Sequence, residues 1–176
     1  NQDRYPLMKP WYAPVFLLEP GWNFVTLPSN SSIQNAEALA NAIDNCTHVA
    51  RWNNTTKSLE VHQKGATENN FTVAGLQGYF VYVSQSSYFN PGGSKTNNIS
   101  LALKQGWNSI GWFNITDTNA KNLAQNITNC TAISYWNNTL GRFITYVVGA
   151  NICNFAIEKG NAYFVFVTSD GTWVNS

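Results

Sequence analysis

Apolar and polar positions along the chain follow two rhythms, and each rhythm occurs twice. Ala36, Leu39, Ala40 and Ile43 stand at i, i+3, i+4 and i+7, and so do Ala120, Leu123, Ala124 and Ile127. That spacing predicts two short helices, each with one apolar face. Ser31 followed by Gln34 has the form of a capping box for the first helix, and Asp117 or Thr118 can cap the second. Around the helices lie short apolar runs rich in β-branched and aromatic residues, which predict strands. An apolar lead-in covers 15–18 in the first half and 99–103 in the second. A turn at Gly21 or Gly106 follows, then strands over 23–27 and 108–113. Behind each helix a hairpin is expected, 49–52 with 59–63 and 133–136 with 142–147, turning on Asn-rich segments that tolerate left-handed backbone. Uninterrupted apolar runs at 79–83 and 163–167 predict buried closing strands.

The two halves are related in sequence. Gly21-Trp22-Asn23 recurs as Gly106-Trp107-Asn108, and Asn45-Cys46-Thr47 as Asn129-Cys130-Thr131. Trp52-Asn53-Asn54-Thr55 recurs as Trp136-Asn137-Asn138-Thr139, and Tyr79-Phe80-Val81 as Tyr163-Phe164-Val165. Residues 44–83 and 128–167 share 15 identities over 40 ungapped positions. Self-similarity on this scale marks a duplicated unit. The expected fold is therefore mainly β with short helices (α+β). Two tandem pseudo-symmetric β-rich modules, sandwich- or barrel-like, follow an extended N-terminal arm. The boundaries read as 1–14 for the arm, 15–84 for module 1, 85–97 for a linker containing Asn90-Pro91-Gly92-Gly93, and 98–176 for module 2.

Composition adds a problem and a solution. Only 11% of residues are charged, against roughly 25% in an average soluble protein. Asn is abundant, at 25 of 176 residues. Ten asparagines begin Asn-X-Ser/Thr sequons, where chance placement predicts about four. The candidate glycosylation sites are Asn30, Asn45, Asn53, Asn70, Asn98, Asn114, Asn126, Asn129 and Asn137. Asn54 is the tenth sequon, adjacent to Asn53 and without a counterpart in the second half. Asn30, Asn45 and Asn53 match Asn114, Asn129 and Asn137 across the repeat. Glycans are bulky and soluble, so they can supply the surface polarity that ionised side chains usually give. The chain opens at Asn1, as expected after removal of a secretory signal. A net charge of +1 without a basic stripe gives no footprint for nucleic acid, and no apolar run is long enough to predict a membrane span.

The motif pairs Gly21-Trp22-Asn23 with Gly78-Tyr79-Phe80-Val81, and Gly106-Trp107-Asn108 with Ala162-Tyr163-Phe164-Val165, resemble modules of archaeal and some bacterial cell-surface glycoproteins. The resemblance spans about residues 15–168, and the second copy departs from it with Ala162 in place of Gly78. It implies a surface location and a scaffolding role, and carries no catalytic residues with it.

Three cysteines leave one unpaired. The favoured pairing joins Cys130 to Cys153, with Cys46 left as a buried thiol or an intermolecular link. A Cys46–Cys130 bridge and three reduced thiols are the alternatives. In the N-terminal arm, Tyr5, Leu7, Met8, Trp11 and Tyr12 are interleaved with Pro6, Pro10 and Pro14. Proline at that spacing favours extended chain, and such an arm can cover its own domain or add to a neighbouring subunit. Chemistry is sparse. Only His48 and His62 occur, outside any metal-ligand spacing, and the carboxylates are dispersed. No cofactor, metal or catalytic site is expected. The function expected is an extracellular, N-glycosylated structural protein, a subunit of a surface filament or layer assembled by strand or arm exchange. Its partners would be copies of itself and covalent N-glycans, with no nucleic acid and no membrane span. A secreted lectin-like module is the alternative, with Trp11, Trp112 and Trp173, which lack counterparts, as candidate sugar platforms.

Overall fold

A computed structural model describes residues 15–93, 99–113, 117–150 and 152–175. The arm residues Tyr5, Leu7, Met8, Trp11 and Tyr12 and the sequons at Asn98 and Asn114 lie outside the described residues. In chain order the elements are β1 (Phe16–Leu18), β2 (Gly21–Thr26), α1 (Ala36–Asn41), β3 (Cys46–Asn53), β4 (Ser58–Gln63), β5 (Gly78–Val83) and β6 (Ser87–Phe89). Then follow β7 (Ile99–Leu103), β8 (Gly106–Gly111), β9 (Thr118–Asn119), α2 (Ala120–Gln125), β10 (Cys130–Asn137), β11 (Arg142–Val147), β12 (Ala156–Ile157), β13 (Ala162–Val167) and β14 (Gly171–Asn175). The fold is mainly β, antiparallel, with two small helices.

One four-stranded sheet has the order β2-β5-β3-β4 and the other β8-β13-β10-β11. Both hairpins expected from the sequence form, with Ala50 opposite Val61 and Ser134 opposite Thr145. The central strands β5 and β13 are apolar throughout because each sheet is covered on both faces. Along β5, Tyr79, Val81 and Val83 point to one face and pack with Leu39, Ile43 and Val49 beneath α1. Phe80, on the opposite face, packs with Phe24, Ala50, Ala162 and Phe164. In β13, Tyr163, Val165 and Val167 likewise pack beneath α2 with Leu123, Ile127 and Ile133. Period-two alternation thus splits each strand between a helix-covered core and a seam shared by the two sheets. The layers run helix, sheet, sheet, helix.

Main-chain bonds tie the two sheets at the ends of their strands. Thr26 donates its N–H to Gly160 O at 3.0 Å, and Gly111 donates to Leu76 O at 2.6 Å. Leu76 returns a bond to Leu27 O and Gly160 to Trp112 O, at 2.9 and 2.8 Å. Both Leu76 and Gly160 have positive φ, at 60° and 90°.

Several expectations need correction. The helices are capped by Asn35 and Asn119, whose Oδ1 atoms accept from Ala38 N and Asn122 N at 2.8 and 2.9 Å. Ser31 instead donates its hydroxyl to Pro91 O, and the 31–34 stretch is loop. The span 85–97 is not simply a linker, since β6 lies in it, pairs with β1, and buries Phe89 completely in the first core. Cys130 and Cys153 do not form the favoured disulfide, and all three cysteines are free thiols. The geometry explains this. Cys130 follows the C-terminal end of α2, bonding its N–H to Ile127 O, whereas Cys153 precedes Asn154, whose Oδ1 caps Lys121 N at the helix's other end. A six-residue helix separates them, about 9 Å at 1.5 Å per residue. Cys46 and Cys130 sit in different cores, which disposes of the cross-repeat bridge.

Candidate functional site

The repeated Gly-Trp-Asn motif builds the seam. Gly21 and Gly106 have φ of 101° and 96°, a region that glycine alone enters without strain. The following tryptophan is thrown onto the seam face. The asparagine, almost fully buried, clamps the turn from within. Asn23 donates to Glu19 O and Gly21 O at 2.8 and 3.1 Å and accepts from Glu19 N at 3.0 Å. Asn108 does the same with Lys104 O, Gly106 O and Lys104 N. The second asparagine of each Asn-Asn-Thr turn then crosses to the other sheet. Asn54 donates to Asn108 Oδ1 at 3.0 Å, and Asn138 to Asn23 Oδ1 at 2.6 Å. All four polar atoms of the buried amides are therefore engaged, as burial demands.

The tryptophans cross in the same way. Trp52 Nε1 donates to Trp107 O at 2.9 Å, and Trp136 Nε1 donates to Trp22 O at 2.7 Å. Between them Phe24 stacks on Phe80 and Phe164, with centroids 4.2 and 5.1 Å apart. The seam is not closed along its whole length. A groove of about 310 Å3 opens between Trp22, Trp136, Phe80 and the exposed Leu59 and Val61. A second of about 270 Å3 opens between Trp52, Trp107, Phe164, Phe143 and Thr145. Leu59, Val61, Trp22 and Trp136 in the first correspond in the repeat to Phe143, Thr145, Trp107 and Trp52 in the second. Trp112 and Trp173, expected as exposed platforms, are buried instead. The four duplicated tryptophans are half-buried and line the grooves, while Trp112 and Trp173 stack on each other at 6.4 Å inside the second core. Trp11 lies outside the described residues.

Among the described residues, no candidate glycosylation site is buried. Asn30, Asn45, Asn70, Asn126 and Asn129 are exposed, and Asn53 and Asn137 are half-buried at the ends of hairpin strands. Asn45 and Asn129 share a left-handed backbone, with φ of 59° and 61°. Asn70 caps Glu37 N through Oδ1, an atom that glycosylation at Nδ2 leaves in place. Asn54 is half-buried and its Nδ2 is held by Asn108, so Asn53 is the freer member of the adjacent pair with respect to the seam.

The titratable groups serve structure. His62 is fully buried, its Nε2 2.8 Å from Glu37 Oε2 and its Nδ1 2.9 Å from Glu68 O, which pins α1 to β4. The N–H of Gly65 and the His62 ring hold the Glu37 carboxyl below its ordinary value. Burial pushes the thiols of Cys46 and Cys130 up to about 11, so neither carries thiolate at neutral pH. His48 bonds Thr47 Oγ1 and lies beside the Trp22 and Tyr82 rings. Among the described residues no three His, Cys, Asp or Glu side chains converge as metal ligands, and no helix is long and apolar enough to cross a membrane.

Compared with known proteins, the chain matches no family model, no curated protein and no solved structure.

Proposed function

We propose that the chain is an extracellular, N-glycosylated structural protein, built from two pseudo-symmetric copies of one β-rich unit and serving as a subunit of a surface filament or layer. The observation that carries this reading is the placement of the sequons. Of the eight within the described residues, five have an exposed asparagine and none has a buried one, in a chain of which only 11% of residues are charged. The matched backbone at Asn45 and Asn129 and the matched strand order of the two sheets support duplication of the unit. The crossed Trp and Asn bonds tie the two sheets together, as a subunit that carries tension along an assembly requires. Subunits would join through the arm, with Tyr5, Leu7, Met8, Trp11 and Tyr12 as contacts, by addition to a neighbour. Electron microscopy of native material is the test. Filaments or a lattice, lost when residues 1–14 are deleted, support the proposal, and a dispersed monomer from the native source removes the polymer from it.

One observation favours a second reading. The aromatic grooves expose ring faces and apolar side chains of the kind that pack against the C–H face of a sugar. A lectin-like module would show saturable changes in tryptophan fluorescence with added oligosaccharide while remaining unpolymerised.

A further inference from the structure

Two cavities at matching places in the repeat differ in a way that neither the repeat nor the sequon count foretells. One, of about 450 Å3, has the whole Asn137-Asn138-Thr139 sequon in its wall, together with Tyr135 and Phe155. The corresponding cavity beside Asn53 has about 250 Å3. On β10, residues 135 and 137 project from the same face. Tyr135 Oη lies 3.4 Å from Asn137 Nδ2, the atom to which an N-linked sugar attaches. The Tyr135 ring packs edge-on against Phe155 at 4.5 Å, giving an aromatic corner beside that nitrogen. The Asn137 carbonyl is already fixed, since Oδ1 accepts from Leu140 N at 2.9 Å. Glu158 and Asn161 also line the cavity and add polar atoms to it.

In the first copy Arg51 replaces Tyr135. Its guanidinium lies on the Phe71 ring and bonds Glu60 at 2.7 Å, and Glu60 also accepts from Asn53 Nδ2 at 2.5 Å. There the attachment nitrogen is committed and the aromatic corner is covered.

We propose that the cavity beside Asn137 is the seat of the proximal sugars of a glycan on Asn137, stacked against Tyr135 and Phe155. The proposal rests on the reading of the chain as an N-glycoprotein and singles out one sequon of the set. Attachment replaces one Nδ2–H bond with a bond to the anomeric carbon of a phosphate-activated oligosaccharide. The donor's phosphate leaves with the bonding electron pair, and the displaced proton passes to a base of the transferase. The apolar face of the first pyranose then packs on aromatic rings, as buried apolar surface does generally, while its hydroxyls meet Glu158 and Asn161. The cavity volume falls within the roughly 300–1,000 Å3 of ordinary ligand pockets.

Glycopeptide mass spectrometry of the native protein, joined to thermal unfolding of variants made with and without glycosylation, tests this. Thr139→Ala removes the Asn137 sequon from an exposed turn, and Thr55→Ala removes that of Asn53. Asn137 should be occupied, and Thr139→Ala should lower the unfolding midpoint of the glycosylated protein by about 3 °C, the scale of one lost aromatic contact in a domain of this size. It should leave the unglycosylated protein unchanged, and Thr55→Ala should shift neither form. The ring protons of the proximal sugar should move upfield in NMR spectra and return on Tyr135→Leu. An occupied Asn137 with no midpoint shift and unshifted sugar protons overturns the seat while leaving the glycoprotein reading standing. So does a bare Asn137 among occupied sequons. A protein free of sugar at every sequon overturns both.

Discussion

Gly78 and Ala162 occupy equivalent places in the repeat and face each other across the seam. A methyl added at Gly78 would lie 2.7 Å from Ala162 Cβ and 2.6 Å from Phe24 Cζ. Carbon atoms pack best at about 3.5–4.0 Å, so Gly78→Ala forces an overlap of about 1 Å into a stacked aromatic cluster. Overpacking of that kind costs about 1–3 kcal/mol. Ala162→Gly removes one buried methyl, worth about 0.8 kcal/mol, and adds about 0.5–1 kcal/mol of backbone freedom to be lost in a strand. Its cost should be about 1.5 kcal/mol by those figures. If the two methyls compete for one space, the swap Gly78→Ala/Ala162→Gly relieves the methyl–methyl overlap and keeps only that with Phe24. It should be about 1–2 kcal/mol less destabilised than the sum of the single changes, a coupling typical of residues in contact. Urea unfolding of unglycosylated protein measures this, provided tryptophan fluorescence and far-ultraviolet circular dichroism give coincident transitions with an unchanged slope. Additive costs would mean that the two sheets do not meet at these positions, and would refute the layered arrangement.

Trp52→Phe and Trp136→Phe each remove one crossed indole bond and should each cost about 1 kcal/mol, read as the shift in urea midpoint. An unchanged midpoint in either would show that the bond it removes contributes nothing. At pH 8 a thiol reagent should label only the exposed Cys153 in the native protein and all three cysteines in denaturant, because Cys46 and Cys130 are buried with thiols held near 11. No labelling of Cys153 in the native state would restore the disulfide. Glu37, Glu60 and Asp170 are held below the ordinary carboxylate range, chiefly by the Gly65 N–H, the Asn53 amide and Lys104 respectively. Their folded values lie below their unfolded ones near 4, so their contribution is whole above about pH 4.3 and fades as pH falls through the lowered values. Glu37→Gln should therefore flatten the acid limb of a plot of unfolding midpoint against pH, and an unaltered limb would contradict this assignment.

Much of the fold is written locally. Ala36, Leu39 and Ala40 are buried on one face of α1, and Ile43, just past its C-terminal end, is buried with them, as the 3.6-residue rhythm requires. The hairpins follow from their Asn-rich turns. Local patterns misled where the partner is distant. Strand β6 sits in a segment rich in Ser, Asn, Pro and Gly, and exists only because β1 pairs with it. The caps moved from Ser31 to Asn35 because Ser31 is drawn away by Pro91. Cysteine spacing of 23 residues carried no hint that a helix would stand between the two thiols. The substitution of Ala162 for Gly78 was visible as a break in the repeat, but its reason, a single methyl-sized space shared by two sheets, belongs to the tertiary structure. So does the difference between Tyr135 and Arg51, which turns two matched sequons into unlike sites.

That attached carbohydrate replaces ionised side chains on this surface is tested most directly by weighing the protein intact as its native source makes it. These 176 residues alone weigh 19.6 kDa, and attached sugar adds to the polypeptide's mass. A heterogeneous envelope that loses mass and sharpens on enzymatic or chemical deglycosylation, with loss of solubility, is the predicted result. A single sharp species whose mass deglycosylation leaves unchanged would contradict the account.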